Sequence, residues 1–99
     1  MTSDWNSFAA SLRADTCPGH YSVLLTALWW EAKGDWAKAH QLVDSLTTTE
    51  AARVHAYFHR VEGDLGNAGY WYRRASRPMP ACPLEEERRG LVEYFLDGG

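Results

Sequence analysis

Two histidines and a carboxylate on one predicted helix are the residues best placed to do chemistry. His55 and His59 are four positions apart, and Glu62 follows three residues later. On a helix that spacing puts the three side chains on one face, and imidazole and carboxylate groups are ligands of divalent metals. The glutamate that follows the first histidine of the metalloprotease motif is missing. The pattern predicts a metal site of His55, His59 and Glu62, with histidines that simply pack beside an apolar stripe as the alternative.

A second polar cluster lies on the outward side of the next predicted helix, formed by Asn67, Tyr70, Arg73 and Arg74. Arginines beside an exposed aromatic ring suit an anionic small molecule. The alternative is that these are ordinary solvent-exposed side chains that bind no ligand. One functional hypothesis is therefore a small-ligand-binding or metal-dependent enzyme, centred on His55, His59, Arg60, Asn67 and Tyr70.

The two cysteines give no sign of a catalytic thiol. Cys17 and Cys82 each precede a proline and lie far apart in the sequence, and only His20 near Cys17 could act as a base. They could form one disulfide, but in a cytosolic protein a reduced pair is expected.

Composition predicts a single domain over residues 1–99 and excludes several classes of partner. The chain is rich in aromatic residues, with five Trp, five Tyr and three Phe, and it has a net charge of −3. That charge argues against nucleic acid as a partner, because affinity for phosphates rests on Lys and Arg. No apolar stretch is long enough to cross a membrane and the start lacks a secretory signal pattern, so we expect a cytoplasmic protein with no membrane contact.

Turn and cap residues divide the chain into helices. Gly34-Asp35 and Gly63-Asp64 each combine a helix-ending glycine with an aspartate that can cap the next helix, and Asp4 or Ser3 can cap the first. The fold prediction is all-α, with about six antiparallel helices. After a first helix that begins near residue 5, these run at about 20–33, 36–46, 50–62, 65–76 and 84–97.

Two of these segments repeat each other. Residues 27–39 and 56–68 share a small residue, the Gly-Asp pair and a closing alanine, 29 residues apart. A fixed period in this range is typical of stacked supersecondary units. The repeat units would span about 20–47 and 49–77, with a terminal capping helix at about 84–97.

The repeated segments resemble tetratricopeptide repeats, and the second copy is also similar to small uncharacterised bacterial proteins of this kind. The resemblance rests on Ala27 or Ala56, the Gly-Asp turn, and Ala39 or Ala68. It implies a short stack of helical hairpins that holds a partner peptide in a groove.

The resemblance also implies which residues would face that groove: Leu24, Leu28, Glu31, Arg53, Tyr57 and Arg60. A solvated helix face is the alternative for this surface. With the exposed aromatic and arginine pair on the fifth helix, the predicted partner-binding residues are Arg53, Tyr57, Arg60, Tyr70 and Arg74.

The leading functional hypothesis is therefore a non-enzymatic protein-interaction or scaffold module that binds a protein or peptide. Trp29 lies between the two apolar faces of the second helix, which predicts a half-exposed ring that a homodimer would cover. No cofactor is expected, apart from a divalent metal at the histidines.

Overall fold

Six α-helices make up the computed structural model, which describes residues 4–98. Their bounds are α1 Trp5–Ser11, α2 Val23–Ala32, α3 Trp36–Val43, α4 Thr49–Val61, α5 Leu65–Arg74 and α6 Leu84–Leu96. Residues 4–98 contain no β-strand, so the predicted all-α class is confirmed. Within the same residues, every helix is too short or too polar to cross a bilayer.

Side-chain caps fix where the first helices begin. Asp4 accepts the amide of Ser7 at 2.9 Å, as predicted, while the other predicted cap, Ser3, lies outside the described residues. Helix α2 begins at Val23, three residues later than predicted, because Ser22 accepts the amide hydrogen bond of Leu25 at 3.3 Å. A serine in this position stops the helix from extending toward its N-terminus.

The two Gly-Asp turns have the same structure. Gly34 and Gly63 adopt left-handed φ angles of 94° and 86°. In both turns the aspartate amide donates to the carbonyl five residues earlier at 2.9 Å, which is the Schellman arrangement. The carboxylates of Asp35 and Asp64 then accept the amide three residues later, at 3.1 and 3.2 Å. The repeat seen in the sequence is thus a repeated turn, and both predicted caps are confirmed.

Helices α3 and α5 end two or three residues earlier than predicted, at Val43 and Arg74. Helix α5 ends in a third turn of the same type, but Ser76 occupies the left-handed position, with φ of 57°. The amide of Arg77 donates back to the carbonyl of Tyr72 at 3.0 Å. A side chain in this conformation costs about 1 kcal/mol relative to glycine.

Helix α4 lies at the centre of the packing. The most extensive contacts join α2 to α3 and α4 to α5, while α4 also contacts α2, α3 and α6. Helix α6 packs against α1, α2 and α4. The largest fully buried side chains include Trp29, Tyr57, Phe8, Phe58 and Leu28.

Two predictions about single side chains are wrong. Trp29 is fully buried, and its indole nitrogen donates to the Ser11 hydroxyl at 2.9 Å, because α1 packs over the face that was expected to be half exposed. The spacing of Glu85 to Arg88 and Arg89, three and four residues later, also predicts ion pairs within the last helix. Arg88 instead reaches Glu31 on α2, and Arg89 binds Glu93 at 3.3 Å.

Candidate functional site

Three histidines converge where α3 meets α4. One ring nitrogen from each of His40, His55 and His59 lies within 4.8 Å of the other two. The Nε2 atoms of His40 and His55 are 2.8 Å apart. A tetrahedral metal with bonds of 2.0–2.1 Å holds its ligand nitrogens about 3.3 Å apart. The separation of the His40 and His55 nitrogens is thus about 0.5 Å shorter than in such a site, and the third nitrogen lies within 4.8 Å of both.

Two tryptophans hold two of these rings. The Trp36 indole stacks on His40, with ring centroids 4.8 Å apart and planes within 12°. The same indole donates to the carbonyl of Phe58 on α4 at 2.7 Å, which joins α3 to α4 at the site. Trp71 on α5 stacks on His55 at 4.0 Å with planes within 11°. The imidazoles are thus positioned by rigid side chains from both neighbouring helices.

The third ring is oriented by an acid. The Nδ1 atom of His59 lies 2.7 Å from Oε1 of Glu62, whose side chain is partly exposed. With Nδ1–H donating to the carboxylate, Nε2 carries the free lone pair. Carboxylates commonly orient metal-binding histidines in this way and increase their basicity.

His55 is neutral at physiological pH. Burial, followed by the charges of His40 and His59, lowers the pKa of His55 to about 4. A histidine must be unprotonated to bind a metal. The surroundings of His55 therefore favour the neutral ring that metal binding requires.

His40 connects the cluster to solvent. It is half-buried, and it lines an open depression of about 490 Å³ together with Trp36, Gln41 and Asp44. His55 and His59 do not line this depression, so His40 is the member of the cluster that faces solvent.

The structure changes the predicted metal site. His55 and His59 meet, as their spacing predicted, but their third partner is His40 rather than Glu62. Glu62 binds Nδ1 of His59 and forms a separate group with His59 and the exposed Asp64. Sequence reasoning missed His40 because it lies on another helix. The sequence signal that could have revealed it is the short connection between α3 and α4, which places these two helices side by side.

The structure does not gather the predicted ligand site in one place. His55 and His59 lie between α3 and α4, whereas Arg60 contacts α6. Asn67 binds the aspartate that caps its own helix, at 3.2 Å. Tyr70 is 45% exposed. The five residues therefore do not form one site.

Helix α6 covers the surface on which a peptide groove was expected. Tyr57 is fully buried, and its hydroxyl donates to Glu31 at 2.9 Å. Arg88 from α6 donates two hydrogen bonds to the same carboxylate, at 2.9 and 2.8 Å. Glu31, Tyr57 and Arg88 form a first carboxylate network, which joins α2, α4 and α6. Leu28 is also fully buried, while Leu24 is half-buried.

A second carboxylate network holds the other predicted groove arginine. Arg60 donates to Glu87 at 2.7 Å and to the carbonyl of Cys82. The Tyr72 hydroxyl lies 2.9 and 2.6 Å from the two oxygens of Glu87. Arg53 is half-buried and its guanidinium lies 5.4 Å from the ring of Tyr94. Tyr57 and Arg60 thus contact the last helix of their own chain.

Comparison of the chain with protein-family models, curated proteins and solved structures finds no match. Function has therefore to be inferred from the geometry of the site. Three imidazoles form the donor set of zinc sites that keep a fourth position for water.

Proposed function

We propose that this protein binds a divalent transition metal ion through His40, His55 and His59. The observation that carries the proposal is the meeting of three ring nitrogens within 4.8 Å of one another. Two of these histidines are at least nine-tenths buried, and a carboxylate orients the ring of His59.

A packing role explains only part of this cluster. One shared proton accounts for the 2.8 Å contact between His40 and His55. It gives no reason why a ring nitrogen of His59 also lies within 4.8 Å of those of His40 and His55. A metal ion gives that reason, because it accepts all three lone pairs at once.

The ligands favour certain metals. Imidazole nitrogen suits Zn²⁺, Ni²⁺ and Cu²⁺, whereas Mg²⁺ and Ca²⁺ prefer oxygen. Three protein ligands leave one position for water or another small ligand. The proposal is metal binding at an open site, with no reaction assigned to it.

The test is isothermal titration of the folded protein with Zn²⁺, Ni²⁺ and Mg²⁺. The chain has four histidines, and His20 lies outside the cluster, so His20→Gln is a matched control for His40→Gln. We expect one Zn²⁺ and one Ni²⁺ per chain and no Mg²⁺ in wild type and His20→Gln. His40→Gln should lose the binding while its circular dichroism is unchanged. Equal Zn²⁺ binding by His40→Gln, or none by wild type, would overturn the proposal.

We also propose a second candidate function, self-association of a short tetratricopeptide-like stack. The equal turns at Gly34 and Gly63 support the stacking of two similar helix pairs. The exposed Tyr70 supports the contact: Arg74 donates to its hydroxyl at 3.2 Å, and the arginine also lies 5.2 Å from the ring of Trp71. Tyrosine and arginine are enriched in protein interfaces.

Sedimentation velocity tests this second function. Wild type should sediment as a dimer and Tyr70→Ser as a monomer, while Tyr94→Ser, which removes another exposed tyrosine, should remain a dimer. A wild-type monomer at every concentration would contradict it.

A further inference from the structure

A second cavity lies on the side of α4 opposite the histidines. Its volume is about 280 Å³, and its walls come from α4, α5, α6 and the connection between α5 and α6. Its lining residues are Arg53, Tyr72, Arg77, Pro78, Pro80, Cys82, Glu87 and Gly90. None of these residues belongs to the histidine cluster, so this cavity is independent of the proposed metal site.

Two arginines of this cavity have no carboxylate partner. Among the described residues, neither Arg53 nor Arg77 takes part in an ion pair, while Arg60, Arg88 and Arg89 each do. Burial, and after it the charge of Arg77, lowers the pKa of Arg53. A half-buried guanidinium near a second guanidinium is a destabilising arrangement unless an anion is present.

The one acid in the cavity, Glu87, attracts Arg53 but is shared with Arg60. Both oxygens of Glu87 already accept hydrogen bonds, one of them from Arg60 at 2.7 Å and both from the hydroxyl of Tyr72. Arg60 balances the charge of Glu87, and the charges of Arg53 and Arg77 remain in excess. The cavity is therefore electropositive.

The backbone holds Arg77 at the cavity wall. Ser76 adopts a left-handed φ of 57°, which turns the chain so that the Arg77 amide donates to the Tyr72 carbonyl at 3.0 Å. Non-glycine residues in this conformation are uncommon and are concentrated at functional sites. Pro78 and Pro80 then supply apolar walls next to the arginine.

We infer that this cavity binds a small organic anion, with its carboxylate or phosphate group between Arg53 and Arg77. Guanidinium groups bind both kinds of anion through charge-assisted, often bidentate hydrogen bonds. The proline, glycine and tyrosine walls would contact a short apolar body. The volume is close to the lower end for small-molecule sites, which limits the ligand to a small one.

Succinate, benzoate and inorganic phosphate are the probes, each titrated into the full chain. Binding is monitored by ¹H–¹⁵N correlation spectra. Binding should shift the side-chain Nε–H signal of Arg53 and the amide signal of Gly90, with a dissociation constant at or below about 1 mM. Stronger binding of the two organic acids would identify a carboxylate site, and stronger binding of phosphate would identify a phosphate site.

The variants are Arg53→Gln and Arg77→Gln, with Arg13→Gln as the matched control. Arg77 and Arg13 are both exposed, so these two variants should fold even if Arg53→Gln does not. Each cavity variant should weaken binding by about tenfold or more, and Arg13→Gln should leave it unchanged. The inference is overturned if no probe shifts these signals, or if Arg77→Gln and Arg13→Gln bind equally well.

Discussion

Helix α4 carries buried polar side chains on two sides, and the two sides are built on different principles. Toward α6, the carboxylates of Glu31 and Glu87 each accept hydrogen bonds from one arginine and one tyrosine. Toward α3, three imidazoles meet, and within residues 4–98 only His59 among them has a carboxylate within hydrogen-bonding distance. The first arrangement pairs opposite charges within the chain, whereas the second brings together three groups that can each donate a lone pair to a metal cation.

The largest effect should come from breaking the first carboxylate network. Glu31→Ala leaves Arg88 and the buried Tyr57 hydroxyl without their acceptor, which should lower the free energy of unfolding by about 3 kcal/mol. Urea denaturation followed by circular dichroism measures this loss. Zinc affinity of the fraction that stays folded should be unchanged, because Glu31 is remote from the histidines. A loss below about 1 kcal/mol would show that this network is not structural.

Zinc binding at the three histidines should raise the free energy of unfolding by a similar amount. Zinc at about 100 times its dissociation constant adds about 2.7 kcal/mol to the folded state, which raises the thermal midpoint of a domain this small by about 10 °C or more. Differential scanning calorimetry with and without zinc measures the rise. His40→Gln should abolish it and His20→Gln should retain it. A rise of the same size in His40→Gln would place the metal elsewhere.

A smaller effect is expected from the acid that orients His59. Glu62→Gln keeps the shape of the side chain but replaces the carboxylate that orients the His59 imidazole with an amide. Zinc should bind about 10-fold more weakly. Glu50→Gln, on the same helix but outside the cluster, is the control for titration calorimetry. If Glu62→Gln removed binding completely, Glu62 would be a direct ligand, as the sequence first predicted.

The smallest loss of stability is expected from an exposed ion pair on α6. Glu93→Ala breaks an ion pair with Arg89 in which both side chains are at least half exposed. Exposed pairs contribute little, so the loss should stay below about 0.5 kcal/mol by urea denaturation. A loss equal to that of Glu31→Ala would mean that burial does not decide how much an ion pair contributes to stability.

The sequence predicted the parts of the fold that depend on local contacts. The turns at Gly34 and Gly63 follow from glycine in a left-handed position and from aspartate as a cap, and both need only a few neighbouring residues. The spacing of His55 and His59 also placed both residues correctly on one face, because helical periodicity is local.

Contacts between distant segments could not be predicted in this way. Arg88 pairs with Glu31 across 57 positions of sequence, and no local pattern encodes that pairing. For the same reason the face of Tyr57 was expected to be a groove, although α6 fills it. His40 was missed because its partners come from α4, and Trp29 was misplaced because α1 covers it.

The most direct test of the metal site is a long-range ¹H–¹⁵N spectrum of the four histidine rings during a zinc titration. We predict that the ring nitrogens of His40, His55 and His59 shift together and reach their end points at one zinc per chain. His20 should not move, and Nδ1 of His59 should remain protonated on the side of Glu62. If the three rings keep their apo signals in excess zinc, or if His20 shifts with them, the cluster is a packing arrangement and not a metal site.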